Sequence, residues 1–116
     1  MADKLDMRDV LYGTLGLMVL KTLEALGPLH GYRIARRIEQ ISDNQLTMNQ
    51  GTLYPALLKL EQAGWISAAW GESESGREVK VYSLTRSGRK QLKAAEASWH
   101  NASDVVGRFF KIEEGS

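Results

Sequence analysis

The chain offers little from which bond-breaking chemistry could be assembled. Its two histidines, His30 and His100, stand on different elements with no acidic companions at metal-ligand spacing, and it has no cysteine. Disulfides, thiolate nucleophiles and sulfur-dependent zinc sites are therefore excluded. No Ser-His-acid set has support from spacing, and no glycine-rich phosphate loop follows a strand. Catalytic residues, a metal and a cofactor are all expected to be absent. What the chain does carry is a run of hydrogen-bonding side chains: Asn49, Gln50, Thr52, Tyr54 and Lys59. Asn and Gln can bond a base edge through two hydrogen bonds at once, whereas Thr, Tyr and Lys more often hold phosphate. Asn49 and Gln50 sit equally well as helix-capping groups.

Charge is unevenly placed. The 116 residues carry a formal net charge of only +1, but residues 28–93 hold ten Lys and Arg against six Asp and Glu, or +4, and the remainder five against eight, or −3. Arg33, Arg36 and Arg37 form one basic cluster, and residues 77–93 hold six cations against Glu78 alone. Such clusters suit a polyanion, although either one alone also suits a solvated face.

The elements that position these groups follow from hydrophobic period. From Leu11 to Leu26 apolar residues recur at helical spacing, with Tyr12, Leu17 and Leu20 widening the stripe beyond what one neighbour can bury. Gly27-Pro28 ends that helix. A second helix is expected from about His30 to Ile41, broken by Ser42-Asp43-Asn44. Thr47-Met-Asn-Gln50 matches a capping box, so a third helix should begin there, bury Leu53, Leu57 and Leu60, and end at Gly64. Pro55 within it lacks an N–H and crowds the Gly51 carbonyl, so the helix either starts later, near Thr52, or is kinked. Trp65–Trp70 and Val79–Leu84 read as a β-hairpin with a mobile tip. Thr85 then caps a last helix reaching to about Ile112, with Leu92, Ala95, Trp99, Ala102, Val106 and Phe109 at alternating steps of three and four.

Three helices followed by a ribbon is the winged helix-turn-helix order, in which the third helix enters the DNA major groove. The fold class read here is mainly α with a two-stranded β wing and a long C-terminal dimerisation helix. Residues 1–85 would form the reading head and residues 86–116 the dimerisation helix, in one compact unit. The last helix would be about 40 Å long, longer than the head can cover, so a second copy is its economical partner. Leu15, Leu92, Ala95, Trp99, Ala102, Val106, Phe109 and Phe110 are the interface expected. A symmetric dimer then favours a palindromic site on double-stranded DNA.

Leu53-Tyr54-Pro55-Ala56-Leu57-x-x-Leu60-Glu61-x-x-Gly64-x-Ile66, followed by Gly76-Arg77 and Tyr82-x-Leu84-Thr85-x-x-Gly88-x-x-x-Leu92, resembles the PadR family of bacterial transcriptional regulators. His30-Gly31-Tyr32-x-Ile34 matches as well. The resemblance covers residues from about 11 to 110 and is to the short subfamily with a single C-terminal dimerisation helix. It implies a dimeric repressor that leaves its operator when an effector or a change in cell state alters the spacing of the two heads. Carried over by position, it implies that Tyr32, Asn49, Gln50, Thr52 and Tyr54 touch DNA, with Arg77 on the wing. One departure is that, where many members place a run of basic residues after the wing glycine, this chain reads Arg77-Glu78-Val79-Lys80, with Glu72 and Glu74 before the glycine. An acidic tip repels phosphate, leaving Arg77 and Lys80 as the wing's contacts and shifting affinity toward Arg33, Arg36 or Arg37.

Multidrug-sensing relatives of this size use a tryptophan at a place similar to Trp99 to stack on flat aromatic ligands across the dimer axis. Trp99 flanked by Ala95 and Ala102 would make such a slot for a planar guest, or a closely packed seam without a cavity. The rival to a DNA-binding repressor is a winged-helix module that docks another protein and ignores DNA, which the near-neutral total charge suits. The acidic start Met-Ala-Asp-Lys-Leu-Asp is unlike a signal peptide, and the apolar run Leu15–Leu20 is too short to span a bilayer. No membrane association and a cytoplasmic location are expected.

Overall fold

The structure is a computed structural model that describes residues 14–113. The expected helix start at Leu11, and Tyr12, lie outside the described residues.

Helix α1 spans Leu15–Leu26 and buries Leu15, Val19, Leu20 and Leu23. It stops where Gly27 turns to a φ of 80° and its N–H bonds the Leu23 carbonyl at 3.0 Å, a left-handed cap that glycine adopts without strain. Strand β1 follows at once as two residues, Leu29–His30, pairing antiparallel with β3 through Leu29↔Tyr82 and His30↔Val81. Helix α2, Gly31–Ile41, turns Ile34, Ala35 and Ile38 inward and leaves Tyr32 and Ile41 exposed.

Helix α3, Gln50–Gln62, runs unbroken through Pro55, so it does not start later at Thr52. Its cap is Asn49, whose side-chain oxygen accepts the Thr52 N–H at 3.0 Å, and not the expected Thr47. Asn is at least as good a cap as Thr, and the exposed Thr47 stands between Leu46 and Met48, both buried ahead of the first helical turn. Gly64, at φ 80°, closes the far end of the helix.

Strands β2 (Ile66–Glu72) and β3 (Glu78–Leu84) form the hairpin and extend further toward its tip than their apolar runs suggested. The sheet therefore has three strands in the order β1-β3-β2, the wing plus the short β1. Backbone hydrogen bonds close the tip. Ser73 N–H bonds the Arg77 carbonyl at 2.8 Å and Gly76 N–H bonds Ser73 at 2.9 Å.

Helix α4, Arg86–Phe109, begins at Thr85, whose hydroxyl oxygen accepts the Gly88 N–H at 3.0 Å while donating to the Gly64 carbonyl at 2.7 Å. Ser87 adds a hydroxyl bond to the same carbonyl. The closeness of this joint requires glycine at position 88, because a β-carbon there would collide with the Trp65 carbonyl oxygen. The helix ends three residues short of Ile112, in a turn just after Gly107, a poor helix former. Its 24 residues give about 36 Å of rod. The first turns lie against α1 and bury Leu92, and the rest projects, so the described residues span 64 × 31 × 23 Å. The core is closed around Val19, Ile34, Leu46, Leu53, Leu57, Ile66 and Leu92.

Candidate nucleic-acid interface and helical seam

On α3 the buried positions Leu53, Leu57 and Leu60 fix the rotation of the helix. The stripe pointing directly away from them is Gly51, Pro55, Leu58 and Gln62, all exposed. Tyr54 and Thr52 flank that stripe on either side. Sequence reasoning passed over Leu58, which is 55% exposed; the phase of the three buried leucines is the signal that points it outward.

Asn49 and Thr52 are partly spent on each other. The Asn49 carboxamide oxygen takes both the N–H and, at 3.2 Å, the hydroxyl of Thr52. What Asn49 retains is its NH₂ group, a donor only. Gln50 is exposed in the first turn, with no side-chain hydrogen bond among the described residues. Tyr54 leans from α3 across the start of α2, where a β-carbon on Gly31 would stand 2.7 Å from its hydroxyl oxygen. Tyr32, 67% exposed, lies beside that contact and stacks 6.3 Å from His30. Residues named from separate stretches of sequence, Tyr32 and Tyr54, thus share one surface.

The cations are less free than their sequence implies. Arg33 reaches the wing-tip Glu74 at 3.7 Å, Lys80 reaches Glu61 of α3 at 3.9 Å, and Arg36 pairs with Glu39 at 3.0 Å. Arg37 donates instead to Gln40 at 2.8 Å. Among the described residues, Lys59 and Arg77 have no ion pair. The acidic tip therefore lies over one of the arginines expected to carry affinity. Exposed pairs of this kind contribute little to stability, but each changes the charge that the surface presents.

The seam residues fall into two groups. Leu15 and Leu92, expected at a dimer interface, are 6% and 1% exposed and are already used inside the chain's own core. Of the residues that widen the apolar stripe of α1, Leu20 is buried in the head and Leu17 lines a groove. Ala102, Val106, Phe109 and Phe110 are exposed along the projecting part of α4, Phe110 at 85%, and Ala95 is half-buried. Trp99, 44% exposed, closes one end of a groove of about 560 Å³ between α1, α2 and α4, walled by Met18, Thr22, Leu26, Ile41 and Leu92. Lys21, Arg37 and Glu96 stand on its rim. His100 meets the Trp99 ring edge to face at 5.2 Å. Among the described residues no group of three or more His, Asp or Glu is placed to hold a metal, and no helix is long and apolar enough to cross a membrane.

Comparison with known proteins adds an independent finding. The family model for PadR-like transcriptional regulators matches residues 19–94. Among solved structures, a transcriptional regulator from Clostridium thermocellum is 29% identical and superposes with a TM-score of 0.77, covering 87% of this chain and 94% of that one. A PadR family transcriptional regulator from Eggerthella lenta is 30% identical with a TM-score of 0.76, covering 92% and 91%. A 37.1 kDa protein of a Streptomyces fradiae transposon is 38% identical over 95 residues, of which this chain spans only 25% of the length.

Proposed function

The chain belongs to the PadR-like family of transcriptional regulators, which are not enzymes, and we propose that it acts as a cytoplasmic homodimeric repressor on a palindromic DNA operator. In this reading residues 1–85 are the reading head, α3 enters the major groove, and residues 86–116 bring two heads together. Base reading falls to Gln50 and the Asn49 amide, with Thr52 and Tyr54 at the edges of the groove. Tyr32, Arg33, Arg36, Lys59, Arg77 and Lys80 contact phosphate.

The observation that carries the dimer is the projecting end of α4. Val106, Phe109 and Phe110 are 53%, 67% and 85% exposed, with no described part of the chain available to bury them. Apolar side chains at this density on one rod are the signature of a helix that pairs. Of the expected effector residues only Trp99 lines the groove between α1, α2 and α4, while Ala95 and Ala102 lie outside its lining; a planar aromatic guest stacked on the indole there would compete with close approach of the two tails. Equilibrium sedimentation with and without a duplex selected from random DNA tests the reading. Two chains per duplex is the expected result.

One observation favours a second reading, a winged-helix module that docks protein instead of DNA. Three of the six expected phosphate contacts, Arg33, Arg36 and Lys80, are engaged by carboxylates. The two readings part on salt. Phosphate binding weakens steeply as salt rises, and apolar docking does not.

A further inference from the structure

The last turn of α2 holds a carboxylate that reaches the connection to α3 and has both oxygens occupied. Glu39 Oε2 accepts the backbone N–H of Met48 at 2.8 Å, and Oε1 accepts from Arg36 Nη1 at 3.0 Å. The side chain is only 17% exposed. The backbone carbonyl of the same residue accepts the Asn44 N–H at 2.8 Å and the Ser42 hydroxyl at 3.2 Å. Met48 directly precedes Asn49, the residue that caps α3. One side chain therefore ties the last turns of α2 to the residue just before the cap of the reading helix.

We propose that Glu39 is a positioning residue for DNA recognition, which sets the pose of the N-terminal end of α3 through the Met48 N–H and is itself held by Arg36. The inference rests on the DNA-binding reading above. The buried side chains of Leu46 and Met48 anchor the connection but do not orient it, because apolar contact is non-directional. A charge-assisted hydrogen bond to a backbone N–H is directional, and it acts on the residue next to the cap. Its geometry bears on the base-reading end of α3 and leaves the phosphate contacts of Tyr32, Lys59 and the wing where they are. Loss of the carboxylate also frees the Arg36 guanidinium for phosphate. Sequence-selective and sequence-independent binding should accordingly separate, which a role in folding alone would not produce.

The test uses the full chain against a selected duplex and a scrambled duplex of equal length, with thermal midpoints recorded alongside. Glu39→Ala is expected to weaken binding to the selected duplex about tenfold, the equivalent of one charge-assisted hydrogen bond, with scrambled binding unchanged or tighter. Glu39→Gln keeps an oxygen for the Met48 N–H and should hold the selected-to-scrambled ratio within about threefold of the parent. Glu39→Asp keeps the charge but is one methylene too short to reach Met48, and should lose the ratio as the alanine variant does. If Glu39→Ala fails to fold, the Gln and Asp variants decide the matter, and equal ratios in the two overturn the proposal. Affinities for both duplexes falling together with the melting point overturn it as well. A parent protein that binds no duplex overturns this inference together with the reading beneath it, whereas normal parental binding without the split overturns the positioning role alone.

Discussion

Gly31 and Tyr54 are in a contact that leaves no room for a side chain on the glycine: a β-carbon there would stand 2.7 Å from the tyrosine hydroxyl oxygen and 3.1 Å from the ring carbon bearing it. The contact joins the first residue of α2 to the second turn of α3. It explains why His30-Gly31-Tyr32 and Leu53-Tyr54-Pro55 belong to one constellation, although twenty-odd residues of chain separate them. The far end of an aromatic side chain yields more readily than backbone, so an added methyl should move Tyr54 and leave the helices in place.

Gly31→Ala is therefore expected to cost about 1 kcal/mol of stability, at the low end for overpacking, while weakening binding to a selected duplex by about tenfold. Tyr54→Ala should remove selective binding without unfolding the chain, since the side chain is 43% exposed. In the double variant the Gly31 change should add nothing further. Additive losses would show that Tyr54 is not the route by which the glycine acts.

Gly88 offers the opposite case, because its neighbour is the backbone carbonyl of Trp65. Gly88→Ala must part α4 from the turn after α3, opening the joint made by Thr85 and Ser87. The expected cost is about 3 kcal/mol, the upper range for overpacking. Gly107, by contrast, has nothing within 4 Å of its added carbon. Gly107→Ala should stabilise the helix by about 0.5–1 kcal/mol. Thermal midpoints measured side by side check both signs.

Much of this architecture is legible in the sequence. The leucine spacing of α1, the Gly27-Pro28 stop, the change to period two after Gly64 and the Thr85 cap each have a local cause, and each element stands where that cause puts it. Other features depend on contacts between distant residues. Strand β1 is two residues long and has no period of its own; it exists because β3 offers a free edge. The sequence offered two caps for α3, Thr47 and Asn49, and the chain uses Asn49; the burial of Leu46 and Met48 on either side of Thr47 is set by distant contacts. At the candidate site the residue types were legible, but their commitments were not. Arg33 finds Glu74, and Lys80 finds Glu61, only after the wing folds beside α2 and α3.

The wing-tip pair makes a prediction about affinity. Glu74 is 92% exposed and 3.7 Å from Arg33, so it masks a cation expected to meet phosphate. Glu74→Gln should tighten binding to selected and scrambled duplexes alike, by about threefold at low salt, with the gain fading as salt screens the charge. In an Arg33→Gln background the gain should shrink. Fluorescence anisotropy titrations across salt concentrations measure it, and unchanged or weaker binding by Glu74→Gln would refute the masking.

Tyr82 gives the fold an alkaline limit. It is 4% exposed, and burial pushes its phenol above the usual 10.0, with Tyr54 and Glu61 nearby adding to the shift. The folded chain thus keeps the proton to higher pH than the unfolded chain does. This contribution to stability is complete below about pH 10 and is lost as pH rises through the folded value. Urea midpoints should fall across that range, and Tyr82→Phe, which cannot ionise, should flatten the fall. An equal slope in the variant would assign the alkaline loss to other groups.

Phe109→Asp places a charge on the projecting end of α4, away from the core. The chain should remain folded but sediment as a single 12.9 kDa species, with weak DNA binding. A variant that still paired normally would move the interface elsewhere.

The most direct measurement is a footprint of the purified protein on the promoter of its own gene. Two protected half-sites related by a two-fold axis, centred about one helical turn or a multiple of it apart, with protection lost as salt rises, is the predicted pattern. Protection of a single half-site, or uniform coverage without regard to sequence, would contradict the account.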